Sequence, residues 1–395
     1  MPARRARPPA PPTRAVRAGP ERAPATPPLD VPVYRASTFR FDSSRQVDRY
    51  NAGRASDLYL YGRYGNPTVR ALERKLAALE GAEACLAFAS GMAALSTAAL
   101  AHLSQGDLLL SSAAIYGGSH RFFRDHLARF GIEVAFVDAD ALLAGPWPAR
   151  VRVVYAESPT NPGLRVLDLE RLGRRARAAG ALLVVDGTFA TPILQRPLAL
   201  GADVVVHSAT KALSGHSDLT AGAVLGSRRV LAPVEKLRRA LGGVLAPDEA
   251  FLLSRSLKTL ELRVLRQSET ALALARRLAR DPRVARVHHP GLRAHPDHGV
   301  ARRQLRAFGG MITIELPGGL AAARRFFDRL ELVARAVSLG GAESLASLPV
   351  QTSHLGCSAA ELSRAGVTPG MVRLSIGLED PGELWRDLDR ALGRA

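Results

Sequence analysis

One lysine has a position and a sequence context that suit a nucleophile. It lies in the run Ser208-Ala209-Thr210-Lys211-Ala212, directly after the apolar segment Val204 to His207. Only four of the 54 basic residues are lysines, namely Lys75, Lys211, Lys236 and Lys258. An amine, unlike a guanidinium, can lose its proton and form an imine with a carbonyl compound. Lys211 is therefore a candidate nucleophile, and the alternative is a solvated loop lysine.

An aspartate at the end of another apolar run could pair with a cationic group of a bound cofactor. Asp186 ends the apolar run Leu182 to Val185, twenty-five residues before Lys211. A buried aspartate without a cationic partner is costly. The protonated ring nitrogen of pyridoxal 5′-phosphate is such a partner, and its protonation makes the ring an electron sink. We therefore predict that Lys211 and Asp186 hold pyridoxal 5′-phosphate; the alternative for Asp186 is a cap on the following turn.

The phosphate of such a cofactor needs its own binding segment. The run Ser90-Gly91-Met92 follows the apolar segment Cys85 to Ala89 and precedes an Ala-rich helical segment. Backbone amides at a helix start point at an anion, with the helix dipole behind them. We predict that these three residues bind the phosphate and that Ser208 and Thr210 add hydroxyl groups. The alternative is that small residues begin a buried helix for packing.

Two further residues are candidates for the same site. Tyr116 follows the apolar run Asp107 to Ser111, and the two glycines after it would let its ring approach a flat cofactor. Arg373 interrupts the apolar run Met371 to Ser375. We predict that Arg373 faces a cleft between domains and binds a substrate carboxylate through two hydrogen bonds. The alternatives are a core or surface tyrosine and a solvent-facing arginine.

The elements that position these residues follow an alternating pattern. Short uninterrupted apolar runs are typical of strands buried on both faces, so we predict an α/β fold with a mostly parallel seven-stranded sheet flanked by helices. The seven predicted strands are Cys85 to Ala89, Asp107 to Ser111, Glu133 to Val137, Val151 to Ala156, Ala181 to Asp186, Val204 to His207 and Gly222 to Gly226.

The C-terminal part has a different pattern. One long helix is predicted from about Glu249 to Arg280, followed by a strand at Met311 to Leu316, a helix at Gly319 to Leu330 and a strand at Met371 to Gly377. This order predicts a smaller α+β domain. The predicted boundaries are a disordered Arg/Pro-rich tail at 1–28, an N-terminal arm at 29–55, a cofactor-binding large domain at 56–248 and a small domain at 249–395.

The charge, the apolar segments and the cysteines of the sequence indicate which partners and which cellular location to expect. The formal net charge is +18, but the arginines are scattered and do not form the localised basic face that nucleic-acid binding requires. No run of eighteen apolar residues and no apolar signal segment occur. We predict no nucleic-acid or membrane partner, a cytoplasmic location, and reduced structural thiols at Cys85 and Cys357.

Four histidines lie close together in the sequence after the predicted long helix. His288, His289, His295 and His298 are interrupted by Pro290 and Pro296 and follow no regular ligand spacing. No acidic or cysteine partner converges on them in the sequence. We predict a loop here and no metal.

Taken together, these motifs resemble the Cys/Met metabolism enzymes of the transsulfuration group, which includes cystathionine γ-synthase, cystathionine γ-lyase, cystathionine β-lyase and methionine γ-lyase. The resemblance covers about residue 29 to the C-terminus. Besides the lysine run, four blocks carry it in order, namely Tyr61 to Thr68, Glu157 to Pro162, Ser338 to Leu345 and Arg373 to Asp380.

The resemblance implies a pyridoxal-phosphate enzyme of fold type I, usually a homotetramer formed as a dimer of dimers. By that resemblance Tyr61 and Arg63 reach the phosphate of the neighbouring subunit. Asn161 contacts the cofactor or the substrate carboxylate, and Ser338 joins Arg373 in holding that carboxylate. The substrates are small amino acids.

The resemblance also implies roles in the reaction. Lys211 moves protons at the α and β carbons, which is the acid-base work of γ-elimination or γ-replacement. Tyr116 assists at the leaving group.

Three positions depart from members of the family. Gly187 stands where asparagine is common, Gly118 where methionine γ-lyases carry cysteine, and Val337 where cystathionine γ-synthases and γ-lyases often have glutamate. Gly118 argues against a methionine γ-lyase, whereas Val337 argues against a cystathionine γ-synthase or γ-lyase. We expect γ-carbon chemistry on cystathionine or an activated homoserine. The alternatives are methionine γ-lyase or cystathionine β-lyase activity, a pyridoxal aminotransferase, and a nucleic-acid binder that lost catalysis.

Overall fold

The computed structural model of this chain describes residues 26, 28–53 and 57–393. Contacts divide the chain into residues 1–32 and residues 33–395. The described part of the first unit contains no helix or strand, and every element named below lies in the second. The predicted tail at 1–28 falls almost entirely outside the described residues, as does the predicted boundary at 55–56. The domain boundaries remain predictions.

The larger sheet confirms the predicted architecture. Its order is β1-β7-β6-β5-β4-β2-β3. Strand β7 runs antiparallel to both neighbours, and the other neighbouring strands are parallel. The strands are β1 (Ala84–Phe88), β2 (Leu108–Ser112), β3 (Glu133–Val137), β4 (Val151–Glu157), β5 (Leu182–Asp186), β6 (Val204–His207) and β7 (Gly222–Gly226).

Apolar side chains are buried on both faces of this sheet, which is why its strands appear in the sequence as uninterrupted apolar runs. In β5, Leu183 and Val185 join one buried cluster and Val184 joins the cluster on the other face. The helices of this part of the chain are α1 (Ser44–Asn51), α2 (Pro67–Glu80), α3 (Gly91–His102), α4 (Gly117–Arg121), α5 (Ala139–Ala144), α6 (Leu169–Ala178), α7 (Thr191–Leu194) and α8 (Arg228–Leu241).

A second, five-stranded sheet confirms the α+β character of the C-terminal part. Its order is β10-β11-β12-β9-β8, and only the β10–β11 pair is parallel. The strands are β8 (Arg286–His288), β9 (Met311–Glu315), β10 (Ala334–Arg335), β11 (Leu345–Ser347) and β12 (Met371–Ser375). The helices are α9 (Pro247–Ser256), α10 (Leu260–Leu278), α11 (His298–Gln304), α12 (Gly319–Arg329), α13 (Ala359–Arg364) and α14 (Pro381–Leu392).

The single long helix predicted from Glu249 to Arg280 is wrong. Helices α9 and α10 are separated by a 3₁₀ turn at Leu257–Thr259. The carbonyl of Ser256 accepts hydrogen bonds from the side chains of Thr259, at 3.3 Å, and Arg263, at 3.0 Å. Side chains therefore take the place of helical amide donors at this carbonyl.

Two smaller predictions also need correction. Helix α1 was missed because only two of its eight residues, Val47 and Tyr50, are apolar, which is too few to establish a period in the sequence. The histidine group is not wholly a loop, since His288 ends strand β8 and His298 begins helix α11. A strand of three residues is too short to show a period.

The topology brings several polar segments to one edge. The parallel strands β2, β4, β5 and β6 end at the same edge of the larger sheet, and open α/β sheets bind ligands there. In the described part of the chain, no helix has the length and apolarity needed to cross a membrane.

Candidate active site

A cavity of about 550 Å³ lies at this edge. Eleven of the thirteen site residues predicted from the sequence line it, and Tyr61 and Arg63 do not. The eleven are Ser90, Gly91, Met92, Tyr116, Asn161, Asp186, Ser208, Thr210, Lys211, Ser338 and Arg373.

Lys211 lies in the turn that follows β6. Its backbone amide donates to the Ser208 carbonyl at 3.1 Å. Its Nζ donates to Ser338 Oγ at 2.8 Å, and the side chain is half-buried rather than free in solvent. Burial, and then the charge of Arg373, lower the pKa of this amine. A larger share of Lys211 is therefore the nucleophilic free amine than for an exposed lysine.

Asp186 ends β5 and is half-buried at the cavity wall. Its Oδ1 accepts from the Thr188 amide at 2.8 Å, so the carboxylate does cap the following turn. Its Oδ2 lies 3.3 Å from the Tyr155 hydroxyl. Burial raises the pKa of Asp186, and the hydrogen bonds from Thr188 oppose that rise. Capping the turn leaves Oδ2 as an acceptor for a cationic ring nitrogen.

The start of α3 lies against the lysine turn. The side chain of Ser90 caps the helix by accepting from the Ala93 amide at 3.1 Å. A Cβ on Gly91 would lie 2.7 Å from Ser208 Cβ and 2.9 Å from its Cα, so only glycine permits this approach. The amides of the first helical turn have no helical carbonyl to bind. Ser208 and these amides thus form one concave wall suited to an anion.

Thr210 is more restricted than the sequence suggested. Its hydroxyl donates to the Ala221 carbonyl at 3.1 Å and accepts from the Ala221 amide at 2.9 Å. The residue lines the cavity, but its hydroxyl proton is already used. Its predicted phosphate contact stays a prediction.

Arg373 and its neighbours form a second part of the cavity wall. The side chain is 7% exposed and lies in the cavity rather than in solvent. Its Nη1 donates to Asn161 Oδ1 at 3.0 Å and its Nη2 to the Ser338 carbonyl at 3.2 Å. Burial lowers the pKa of Arg373 to about 10. The guanidinium remains a cation at neutral pH and can bind a carboxylate.

Tyr116 precedes α4 and depends on the two glycines that follow it. Its ring folds over Gly118, where a Cβ would lie 2.4 Å from Tyr116 Cε1. A Cβ on Gly117 would lie 1.5 Å from the Ser353 carbonyl oxygen, which belongs to the backbone of the C-terminal part. Side chains at either position would therefore displace Tyr116 or the segment beside it.

Two charged residues of the cavity, Arg121 and Glu157, were not identified from the sequence. Nor were Tyr155 and Thr188, which contact Asp186. Glu157 is 5% exposed and accepts from the Tyr116 amide at 2.8 Å. It ends an apolar run just as Asp186 does, and that shared pattern was the available signal.

Tyr61 and Arg63 lie elsewhere in the chain. Tyr61 is 41% exposed, and Arg63 Nη1 donates to the Arg239 carbonyl at 2.5 Å. Within one chain they do not meet Lys211, so their predicted contact with the phosphate of a neighbouring subunit stays a prediction.

The cavity residues fit pyridoxal 5′-phosphate. An amine that can form an imine, a carboxylate for the ring nitrogen and a helix start for the phosphate line one cavity. The close approach of Gly91 to Ser208 gives the phosphate wall its shape. Among the described residues, no group of three or more His, Cys, Asp or Glu could hold a metal ion.

Comparisons with known proteins agree with this chemistry. The sequence profile of the Cys/Met metabolism PLP-dependent enzymes matches residues 12–393. The L-methionine gamma-lyase of Pseudomonas putida is 45% identical over 92% of each chain. The chloroplastic cystathionine gamma-synthase 1 of Nicotiana tabacum is 40% identical over 92% of this chain and 68% of its own. The crystal structure of metB from Corynebacterium glutamicum has a TM-score of 0.86 and 35% identity, covering 96% of this chain and 97% of that one.

Proposed function

Because the chain belongs to the family of Cys/Met metabolism enzymes that depend on pyridoxal 5′-phosphate, we propose that it catalyses γ-elimination or γ-replacement on cystathionine or an O-acyl-homoserine. The chain is a transsulfuration-family enzyme, and its cofactor is pyridoxal 5′-phosphate. The choice of γ-carbon substrate and the roles of individual residues are our proposal.

One observation carries the assignment of roles. The Lys211 amine donates to Ser338 Oγ at 2.8 Å, and the Ser338 carbonyl accepts from Arg373 at 3.2 Å. A single residue thus joins the cofactor lysine to the arginine that would bind the substrate carboxylate. An amino acid held by Arg373 would have its α-carbon near the lysine amine.

Each wall would then perform a different task. The bound cofactor supplies the electron sink for negative charge that develops at the substrate. Asp186 holds a positive charge on the ring nitrogen, and Ser90, Gly91 and Ser208 bind the phosphate. The Lys211 amine would move protons at the α and β carbons of the substrate.

The remaining polar groups would bind and protonate the substrate. Arg373, Asn161 and Ser338 bind its carboxylate. The Tyr116 hydroxyl assists at the leaving group.

We also propose a homotetramer built from dimers, working in the cytoplasm. Tyr61 and Arg63 line no part of the Lys211 cavity of their own chain. Tyr61 is 41% exposed and available to a second copy. In the proposed dimer both residues contact the phosphate bound by the neighbouring subunit.

Product analysis tests the reaction. The purified enzyme is incubated with cystathionine, and separately with O-acyl-homoserine plus cysteine. We expect cysteine, ammonia and 2-oxobutanoate in the first case, or cystathionine in the second. No product from either mixture would contradict the proposal.

Methionine γ-lyase activity is the second candidate. The 45% identity to the Pseudomonas putida L-methionine gamma-lyase favours it. The apolar Val337 at the cavity wall also favours an uncharged substrate side chain. Incubation with methionine separates the two, because methanethiol would form together with 2-oxobutanoate. Cystathionine β-lyase activity would instead release homocysteine and pyruvate, and an aminotransferase would accumulate pyridoxamine phosphate.

A further inference from the structure

Glu157 is a buried acid in the active-site cavity to which the proposed reaction assigns no role. It is the last residue of β4, is 5% exposed and lines the same cavity as Lys211 and Asp186. A carboxyl group this deeply buried is retained only where it is neutral or well paired.

The nearest acid is Asp186. Glu157 and Asp186 are partners in the parallel register of β4 and β5, so both carboxyl groups emerge from neighbouring strand ends. The Tyr155 hydroxyl lies 3.5 Å from Glu157 Oε1 and 3.3 Å from Asp186 Oδ2. Two carboxyl groups that share a buried site do not both ionise readily, because like charges repel at low dielectric.

Burial decides which of the two keeps its charge. Each accepts one backbone hydrogen bond of 2.8 Å, Asp186 from Thr188 and Glu157 from Tyr116, so these bonds do not distinguish them. Glu157 is only 5% exposed, whereas Asp186 is half-buried at the cavity wall, so ionisation is less costly for Asp186. Burial, and then the charge of Asp186, raise the pKa of Glu157 well above its usual value. The proton shared by the pair is therefore expected on Glu157.

Glu157 also holds the backbone beside the reacting groups. Its Oε1 accepts from the Tyr116 amide at 2.8 Å, at the start of the short helix α4. Tyr116 has no side-chain cap of its own there. The carboxyl group thus joins the Asp186 strand end to the segment that carries Tyr116.

We propose that Glu157 is a positioning residue that stays a neutral acid beside the ionised Asp186 and fixes the Tyr116 backbone. The inference rests on the proposed function in that it takes Asp186 as the partner of the cofactor ring. A neutral Glu157 leaves the charge of Arg373 available for the substrate carboxylate.

The charged groups around Glu157 determine how the binding of a carboxylate at Arg373 should change with pH. The groups that act on Glu157 are Asp186 from β5, Tyr155 from its own strand and Arg373 from β12. Lys211 and Arg121 are further charged residues that line the cavity. If pH rises through the raised pKa of Glu157, a second negative charge appears and competes with a bound carboxylate for Arg373.

Infrared difference spectroscopy of the full chain without cofactor tests the protonation directly. We expect a protonated-carboxyl band at neutral pH that is absent from Glu157→Gln. In Asp186→Asn the neighbouring charge is gone, so the band should disappear at lower pH than in the wild type. A wild-type spectrum without that band would overturn the inference.

Carboxylate binding tests the positioning role. Butyrate, which has a carboxylate but no amino group, is titrated into the holoenzyme while the visible spectrum is followed. Glu157→Ala should weaken butyrate about tenfold, because a buried hydrogen bond to the Tyr116 segment is lost. Glu157→Gln, which keeps an acceptor oxygen, should restore most of that affinity, to within about threefold of the wild type.

The pH profile separates a charge effect from a packing effect. Butyrate affinity of the wild type should fall at alkaline pH more steeply than that of Glu157→Gln, which cannot ionise. Parallel profiles, or equal losses in the alanine and glutamine variants, would contradict the neutral-acid account. Apparent unfolding temperatures of each variant identify any loss that is due to misfolding.

The design separates this inference from the proposed function. If Asp186→Asn binds the cofactor as tightly as the wild type, the assignment of Asp186 is wrong whatever the infrared band shows. If Asp186→Asn weakens the cofactor but Glu157→Gln leaves the infrared band intact, only the role of Glu157 is wrong.

Discussion

The two walls of the cavity are built in different ways. The cofactor wall consists of residues at the ends of β5 and β6 and the start of α3, held by backbone hydrogen bonds and by the close approach of Gly91 to Ser208. The substrate wall consists of Arg373, Asn161 and Ser338, and the Arg373 side chain donates to the Asn161 side chain and to the Ser338 carbonyl. We infer that the cofactor wall is preorganised by the sheet, whereas the substrate wall depends on mutual contacts.

This difference predicts separable defects. Changes on the cofactor wall should weaken cofactor binding first, and changes on the substrate wall should spare the cofactor and weaken the substrate. Lys211 is the exception, because its amine donates to Ser338 Oγ, which belongs to the substrate wall, at 2.8 Å.

Lys211→Ala should have the largest effect and should damage both walls. We expect kcat to fall at least about ten-thousandfold, because the nucleophile and the acid-base group are lost together. The visible absorbance of the covalently bound cofactor should disappear as well. Steady-state rates and the absorption spectrum of the purified variant check this, and retention of the full spectrum would contradict it.

Arg373→Ala should break the substrate wall alone. We expect kcat/KM to fall about a thousandfold, since a buried cation that pairs with a carboxylate is removed. Cofactor affinity should change less than about threefold if the walls are independent. Arg373→Lys keeps the charge but not the bidentate hydrogen bonding, so its kcat/KM should lie between those of the wild type and Arg373→Ala. A comparable loss of cofactor affinity would show that the walls are coupled.

Gly91→Ala should affect the cofactor wall alone. The new Cβ would lie 2.9 Å from the Ser208 backbone, so the helix start must shift away from the lysine turn. We expect about tenfold weaker cofactor binding, in line with an overpacking cost of about 1–3 kcal/mol. Gly299→Ala is the matched control, because only the tip of Arg303 lies within 4.0 Å of its Cβ. Equilibrium titration of the apoprotein with cofactor measures both.

The smallest effect is a shift in pH dependence that links the two walls. Cofactor capture requires the free amine of Lys211, so its rate should rise as pH increases through the pKa of that lysine. Burial and Arg373 lower this pKa, which places the rise at lower pH than for an exposed lysine. Arg373→Gln removes one of the two causes and should move the rise to higher pH. An unchanged profile would mean that Arg373 does not act on the amine.

Residues at strand ends were predictable from the sequence. Asp186 and Lys211 each follow an uninterrupted apolar run, and parallel strands bring such ends to one edge. Glu157 had the same signal but no obvious partner, because its relation to Asp186 depends on the strand register. Sequence periodicity does not contain that register.

Contacts between distant segments were also beyond the sequence. From the sequence, Gly187 could be recognised only as a position where the resembling family commonly has asparagine. In the structure a Cβ there would lie 2.7 Å from His207 Cε1, and the His207 ring is hydrogen-bonded to Glu80 at 3.0 Å. The space beside Asp186 is thus filled from the next strand, which explains why a larger residue would need that histidine to move.

The attachment point of the cofactor is the most direct test of the whole account. The holoenzyme is reduced with borohydride, digested, and searched by mass spectrometry for a pyridoxyl group on each of Lys75, Lys211, Lys236 and Lys258. We predict stoichiometric labelling of Lys211 alone. Labelling of another lysine, or of none in a protein loaded with cofactor, would contradict the assignment of this cavity as the active site.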